Sequence, residues 1–233
     1  MSYAPKIKSA IWLFSRNQEV ELGTFTRGSE IWARTPAGEE FICDTATMRL
    51  RGSHNVENVL AGAAAILSFG AGKDCIQEIV DKFEPLEHRM EPVVEVAGVE
   101  FLNNSMCTNN LAAIRSLEAI GRPAIVIVGG KGKGDDYILL GEAFNKYAKH
   151  VVLIGDDAAL IEEEVNKAGF KRISHAISME EAVEVAWRHA KPGDTIILSP
   201  GCASFDMFKN FEHRGQVFKT AVHALAERVG NQR

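Results

Sequence analysis

Ala124-Ile125-Val126-Ile127-Val128-Gly129-Gly130-Lys131-Gly132-Lys133-Gly134 is the stretch that decides the fold. Its first part is an unbroken apolar run with no polar alternation, which describes a strand buried on both faces, as in a parallel sheet covered by helices. The glycines follow where such a strand hands the chain to a crossover helix. Downstream the same unit repeats. Residues 137–148 have helical spacing, Val151-Val152-Leu153-Ile154 is a strand, and residues 157–168 are a helix. Arg172-Ile173-Ser174-His175-Ala176 is a short strand. Ser178 caps a helix running to about residue 190, with Glu181 at the capping-box position. Thr195-Ile196-Ile197-Leu198 is the last strand, and residues 208–229 are mostly helix. Upstream, residues 92–102 read as a two-stranded hairpin turning at Ala97-Gly98. The alternation predicts a doubly wound α/β domain from about residue 85 to the end.

The preceding segment has another pattern. Ile11-Trp12-Leu13-Phe14 is an apolar run. Glu30-Ile31-Trp32-Ala33-Arg34-Thr35, the turn Pro36-Ala37-Gly38-Glu39 and the return Glu40-Phe41-Ile42-Cys43 form a hairpin signal. Thr47-Met48-Arg49-Leu50 is expected as one more strand. Residues 55–69 form an Ala- and Leu-rich helix ended by Gly70 and Gly72, and Asp74 is expected to cap a second helix to about Phe83. Pro85 and Pro92 mark the boundary between the two parts.

Composition narrows the function classes. Hydrophobic residues make up 46% and charged residues 24% of the 233, ordinary for a globular chain. A net charge of -5 speaks against nucleic acid as a partner. No apolar run approaches the roughly 20 residues needed to span a bilayer, so no membrane is expected. Met1-Ser2-Tyr3-Ala4-Pro5-Lys6 has no signal-peptide core. Cys43, Cys75, Cys107 and Cys202 are far apart, which points to reduced thiols in a cytoplasm rather than a zinc site or disulfides.

Ligands of open α/β sheets sit beyond the carboxyl ends of the strands, and polar clusters follow Leu102, Val128 and Leu198. They are Asn103-Asn104-Ser105-Met106-Cys107-Thr108-Asn109, which leads into a helix from Thr108 to about Ile120; the glycine turn, residues 129–135; and Ser199-Pro200-Gly201-Cys202-Ala203-Ser204-Phe205-Asp206. The glycine turn is not a phosphate loop, because Lys133 is followed by Gly134 rather than Ser or Thr. Lys133 reads as an anion-binding lysine in a flexible turn, or as part of a solvated turn. Earlier in the chain, Asn55 is placed to cap its helix, while Asn58, one turn on, is harder to explain as a cap. Arg89 at the boundary is placed to clamp a phosphate. His88 alone reads as a structural hydrogen-bonder. His150, His175, His189, His213 and His223 show no metal-ligand spacing.

In order and spacing these clusters resemble the Mur ligase family. The family's G-x-H-N-x-x-N segment reads Gly52-Ser53-His54-Asn55-Val56-Glu57-Asn58, and its x-H-R segment Leu86-Glu87-His88-Arg89. Asn103 to Asn109 is similar to N-D-S-K-A-T-N, and residues 129–133 to G-G-x-x-K. Residues 199–215 are similar to S-P-x-x-A-S-x-D-x-F-x-x-F-x-x-R-G, a segment most like that of the family branch adding D-glutamate to UDP-N-acetylmuramoyl-L-alanine.

The resemblance implies an α/β fold, with a Rossmann-like C-terminal Mur ligase domain (residues 85–233) preceded by the truncated tail of the family's central ATPase domain (residues 1–84). It implies that ATP and Mg²⁺ serve the complete enzyme, with Asn55 and Asn58 near the adenine, Arg89 reaching ATP and Asn104 in place of a ribose-holding aspartate. Thr108, Lys133, Ser204 and Phe211 would surround the incoming D-glutamate, Lys133 on a carboxylate. The family reaction activates a carboxylate as an acyl-phosphate, which the amino acid's amine then attacks in peptidoglycan synthesis. Asn104 and Met106 stand where the branch carries aspartate and lysine, and phosphate loop, metal ligands and UDP-binding domain would lie before residue 1, on this protein or a separate chain. The expected function is therefore the C-terminal portion of that ligase, inactive without the phosphate-loop half. The alternatives are another Mur-like amino-acid ligase, or a non-catalytic binding or regulatory module.

Overall fold

The computed structural model describes residues 8–50, 52–84, 86–134 and 136–231. Met1 to Lys6, Pro85 and Asp135, each used in the sequence reading, lie outside these. The chain packs as two compact units, Met1–Glu84 and Pro85–Arg233.

In the first unit β1 (Leu13–Ser15), β2 (Gly23–Arg27), β3 (Glu30–Thr35) and β4 (Gly38–Asp44) form one sheet in that order. The β3–β4 hairpin forms as expected, with Ile31 opposite Cys43 and Thr35 opposite Gly38. Helices α1 (Ser53–Ser68) and α2 (Ile76–Lys82) supply Leu60, Ala63, Ile76 and Val80 to a core with Ile31, Ala33, Ile42 and Cys43. Two expectations fail here, and one strand had not been singled out. Gly23–Arg27 is a strand that no apolar run announced. It pairs antiparallel with β3 and parallel with β1. Residues 47–50 are not a strand. The Asp44 carboxylate accepts the Ala46 N–H at 2.9 Å and turns the chain away from the sheet. Asp74 does not cap α2, whose cap position is Cys75 with no side-chain cap bond.

In the second unit β5 (Glu91–Val96) and β6 (Val99–Asn103) form the expected hairpin, its Ala97-Gly98 corner carrying φ of 47° and 81°. The chain then alternates through α3 (Asn110–Ile120), β7 (Ala124–Gly129), α4 (Ile138–Tyr147), β8 (Ala148–Ile154), α5 (Ala158–Lys167), β9 (Ile173–His175), α6 (Met179–His189), β10 (Thr195–Leu198) and α7 (Phe211–Gly230). The sheet order is β5-β6-β10-β7-β8-β9, and every pair but β5–β6 is parallel. β8 begins as α4 ends, three residues before its expected start at Val151.

The strand period of two sorts β7 onto both faces. Ile125 and Ile127 meet Phe218, Val222 and Leu225 of α7 and Met179, Ala182 and Val183 of α6. Val126 and Val128 meet Leu117 of α3, Leu140 and Phe144 of α4, and Ile161 and Val165 of α5. All of these side chains are 1% exposed or less. Burying each large aliphatic one contributes roughly 1.5–3 kcal/mol. β10 is inserted between β6 and β7, so the chain reverses its direction across the sheet there. The reversal opens a crevice beyond the carboxyl ends of these strands. Among the described residues no helix is long and apolar enough to cross a membrane.

Candidate functional site

The loops after β6, β7 and β10 meet at that crevice and are laced together by backbone bonds. Gly129 N–H donates to the Pro200 carbonyl at 2.9 Å, and Gly201 N–H to the Cys107 carbonyl at 3.1 Å. Lys131 and Ala203 exchange both bonds of a bridge, at 2.9 and 3.0 Å. Thr108, Lys133, Ser204 and Phe211 sit on these loops or at the start of α7. Lys133 is exposed, and no acidic group among the described residues pairs with it. Thr108 is half-buried and lies one residue before the true cap of α3, Asn109, whose side chain accepts the Ala112 N–H at 2.9 Å. The threonine hydroxyl is therefore not used as a helix cap. Ser204 is 2% exposed. Phe211 is the first residue of α7, three residues later than expected, because Asn210 caps that helix by accepting the His213 N–H at 2.8 Å.

One side chain that the sequence placed in a motif without a role fastens the loops after β6 and β10. Arg214 is fully buried. Its Nε donates to Ser105 Oγ at 3.0 Å, Nη2 to the Ser105 carbonyl at 2.8 Å and Nη1 to the Cys202 carbonyl at 3.0 Å. Ser105 Oγ in turn donates to the Phe211 carbonyl at 2.7 Å. Burial lowers the Arg214 pKa to about 10, still cationic at neutral pH. The Cys202 thiol beside it is pushed up to about 11 by burial, and burial also raises that of Cys107, so both stay protonated and neither is a nucleophile. The signal was present in the sequence. Arg214 stands four residues before Phe218 and eight before Val222, on the apolar stripe of α7, where a polar side chain must find buried partners.

Arg89 and Asn104 share a second network. His88 and Met90 hold left-handed backbone, with φ of 64° and 50°, on either side of the exposed Arg89. Asn104, 4% exposed, keeps that turn in place. Its Oδ1 accepts the Met90 N–H at 3.1 Å, and its Nδ2 donates to Ser116 Oγ at 2.7 Å and Ser199 Oγ at 3.3 Å. His88 is the structural hydrogen-bonder expected of it. Its Nδ1 lies 2.9 Å from Asn103 Nδ2, and its ring meets Phe211 edge-on. In the first unit, Asn58 Nδ2 donates to Asn55 Oδ1 at 3.2 Å, which joins the two asparagines of α1.

Neither nucleotide phosphates nor a divalent cation fit these residues. The Gly129 and Lys131 N–H groups are already donated to carbonyls. A Cβ added to Gly129, Gly130 or Gly132 would meet an oxygen at 2.0, 2.3 or 1.9 Å, those of Ile154, Ala203 and Asp157. Space for a phosphate is closed at those three glycines by the neighbouring oxygens. Among the described residues, Glu87, His88 and Glu91 bring ligand-type atoms together. Lys219 fills that cluster, donating to Glu87 Oε1 at 2.9 Å and Glu91 Oε1 at 2.8 Å. Glu91 Oε2 accepts from the His88 N–H and from Asn103, both at 2.9 Å.

Residues 88–202 match the family model of the Mur ligase, glutamate ligase domain. A UDP-N-acetylmuramoylalanine–D-glutamate ligase of Koribacter versatilis is 42% identical over 224 residues, covering 96% of this chain and 49% of the relative. The ligase of the same name from Pelotomaculum thermopropionicum is 40% identical, covering 94% and 48%. The chain thus spans about half the length of the curated relatives it matches. MurF from Acinetobacter baumannii shares the fold with a TM-score of 0.61 at 18% identity, over 92% of this chain and 46% of that one. A pseudomurein peptide ligase type C from Methanothermus fervidus does so with 0.62 at 16%, over 89% and 42%.

Proposed function

We propose that the chain belongs to the Mur ligase family, whose glutamate ligase domain it matches over residues 88–202, and that its second unit receives the incoming D-glutamate of an ATP-dependent amide ligase that extends UDP-N-acetylmuramoyl-L-alanine in peptidoglycan synthesis. The observation that carries this reading is the laced edge. The loops after β6, β7 and β10 are held by one another and by Arg214, and they carry Thr108, Lys133 and Ser204 on a rigid frame. Lys133 is, with Lys131, an exposed cation of that edge without an acidic partner among the described residues, and its ammonium is suited to a carboxylate. Thr108 supplies a hydroxyl, while Ser204 and Phe211 shape the pocket beside it.

Asn55 and Asn58 are assigned to the adenine of ATP, and Arg89 reaches the nucleotide. Asn104 acts on the nucleotide through the turn it holds. Since the glycine turn lacks the Ser or Thr of a phosphate loop and its Gly129 and Lys131 N–H groups are already donated to carbonyls, the phosphates and Mg²⁺ are assigned to a phosphate-loop half, on the same protein or a separate chain. Holding D-glutamate with its amine toward an activated carboxylate is the contribution of this unit, and orientation of that kind accounts for much of a bimolecular rate. The reaction belongs in the cytoplasm, where the free thiols Cys43, Cys75, Cys107 and Cys202 stay reduced.

The test is a titration of the isotopically labelled chain with D-glutamate, followed by NMR. Lys133→Ala should weaken binding by at least tenfold, as expected for loss of a charge-assisted bond. Unchanged affinity would remove Lys133 from the pocket. A second reading, a binding or regulatory module, is favoured by Met106, which stands exposed where the family branch carries a lysine. It predicts amino-acid binding without turnover even when the phosphate-loop half is present.

A further inference from the structure

The glycine turn that carries Lys133 rests on a buried polar pair that none of the sequence motifs contains. Tyr137 is fully buried. Its hydroxyl donates to Asp157 Oδ2 at 2.9 Å and lies 3.4 Å from Cys202 Sγ. Gly132 lies directly on this pair. A Cβ built there would stand 1.9 Å from Asp157 Oδ2 and 2.5 Å from the Tyr137 hydroxyl. The Asp157 N–H also donates to the Gly130 carbonyl at 3.0 Å, so the same residue bonds the turn through its backbone and packs under Gly132 with its side chain. The Tyr137 N–H is held by Glu164 Oε2 at 2.5 Å, which ties the phenol's own backbone to α5. Gly132 is therefore seated on this floor, while Lys131, Lys133 and Gly134 around it are exposed. Lys133 is the residue immediately after the seated glycine.

We propose that Tyr137 and Asp157 are positioning residues for Lys133: their hydrogen bond fixes where the lysine stem leaves the turn, so that affinity for a carboxylate-bearing amino acid depends on a phenol that never touches it. This rests on the reading of Lys133 as the carboxylate-binding group. The chemistry favours the assignment. A buried phenol with its pKa raised by desolvation stays a donor at all working pH values. It satisfies one oxygen of Asp157, which would otherwise face the glycine backbone unpaired. A lysine on a long stem has many rotamers, and a fixed point of departure lowers the entropy lost when it binds.

Tyr137→Phe removes the hydroxyl and keeps the ring. Two readouts on the whole chain separate the possibilities. Amide exchange of residues 131–134, compared with that of β7 and β10, reports the turn. Titration with D-glutamate reports the pocket. The expected result is exchange at the turn faster by about tenfold with the strands unchanged, and D-glutamate affinity weaker by about tenfold, the size of one lost hydrogen bond. Asp157→Asn retains an oxygen that accepts the phenol and should lose less on both counts. Asp157→Ala, which deletes the acceptor of the phenol, stands in as the test variant with the same expected losses should Tyr137→Phe fail to fold. Wild-type affinity in Tyr137→Phe, with D-glutamate still moving the Lys133 signals, overturns the proposal and leaves the proposed function standing. If D-glutamate does not move those signals in the wild-type chain, the proposed function falls and the link to affinity falls with it. Unchanged exchange at the turn overturns the seating itself.

Discussion

Replacing Arg214 by methionine, which keeps most of the stem's volume, tests whether one guanidinium holds the loop edge together. The change deletes bonds to Ser105 Oγ, the Ser105 carbonyl and the Cys202 carbonyl, at 3.0, 2.8 and 3.0 Å. Each buried acceptor left without a partner costs about 1–3 kcal/mol, and two of these are backbone carbonyls with no route to water through a fully buried position. The opposing effect is real: no carboxylate among the described residues bonds to Arg214, so the wild-type chain buries a cation whose desolvation costs several kcal/mol, as its depressed pKa reflects. Ser105 can turn its hydroxyl wholly to Phe211, but the carbonyls cannot relax without moving the backbone of two loops. The unpaired carbonyls therefore outweigh the relief, and the net loss should be about 2–4 kcal/mol. The assay is hydrogen exchange by mass spectrometry on peptides covering β7 and β10, whose opening reports the second unit as a whole. Exchange should quicken by roughly 30-fold to 1,000-fold, following tenfold per 1.4 kcal/mol. A change below about threefold, or a methionine variant more stable than wild type, would refute the reasoning and make the guanidinium a net cost.

Further outcomes follow from the same geometry. His150 and His189 stack with ring centroids 3.6 Å apart, and burial first, then the charges of His189 and Arg172, lower the His150 pKa from 6.5 to about 4. The unfolded chain thus binds a proton that the folded chain refuses between these values, so stability should be flat above pH 6.5 and fall by about 3 kcal/mol toward pH 4. Urea titrations across that range check it, and His150→Phe should remove this component. Gly215→Ala should lower the melting temperature, by an overpacking cost of about 1–3 kcal/mol, because the added Cβ would stand 2.2 Å from His88 Nδ1. A variant melting like wild type would show that His88 moves aside freely. Asn104→Asp removes the donor to Ser116 and Ser199. It should speed amide exchange at Met90 about tenfold if the Arg89 turn depends on that amide.

Strand character in the second unit was legible because burial on both faces leaves a run such as residues 124–128 no polar position to disguise it. The loops bearing Thr108, Lys133 and Ser204 were legible for the same reason, since each follows a strand whose end is plain. What escaped was non-local or decided by a single side chain. Residues 23–27 alternate Thr and Phe without an apolar run, and half of their pairing, to β1, is parallel. Residues 47–50 have strand-like composition, but Asp44 turns the chain just before them. Helix starts slipped from Thr108 to Asn110 and from Phe208 to Phe211 because competing polar residues stood nearby and Asn109 and Asn210 took the cap. The partners of Arg214 and Asn104 lie up to 109 residues away, at a separation no local pattern reports. The seat beneath Gly132 joins α4, α5 and the β10 loop, so only the folded chain brings Tyr137 to Asp157.

The division of labour between this chain and a phosphate-loop half is best tested by turnover. Phosphoryl transfer is governed by donors, a lysine and Mg²⁺ placed around the γ-phosphate, and in the glycine turn the Gly129 and Lys131 N–H groups are already donated to carbonyls and Lys133 is followed by Gly134 rather than Ser or Thr. The purified chain is given ATP, Mg²⁺, UDP-N-acetylmuramoyl-L-alanine and D-glutamate, alone and with a purified phosphate-loop half of a D-glutamate ligase. ADP release and the amide product are both measured. Neither should form with the chain alone, and both should form with the half present. Turnover by the chain alone near that of a full-length ligase would contradict the assignment of the phosphates to another half.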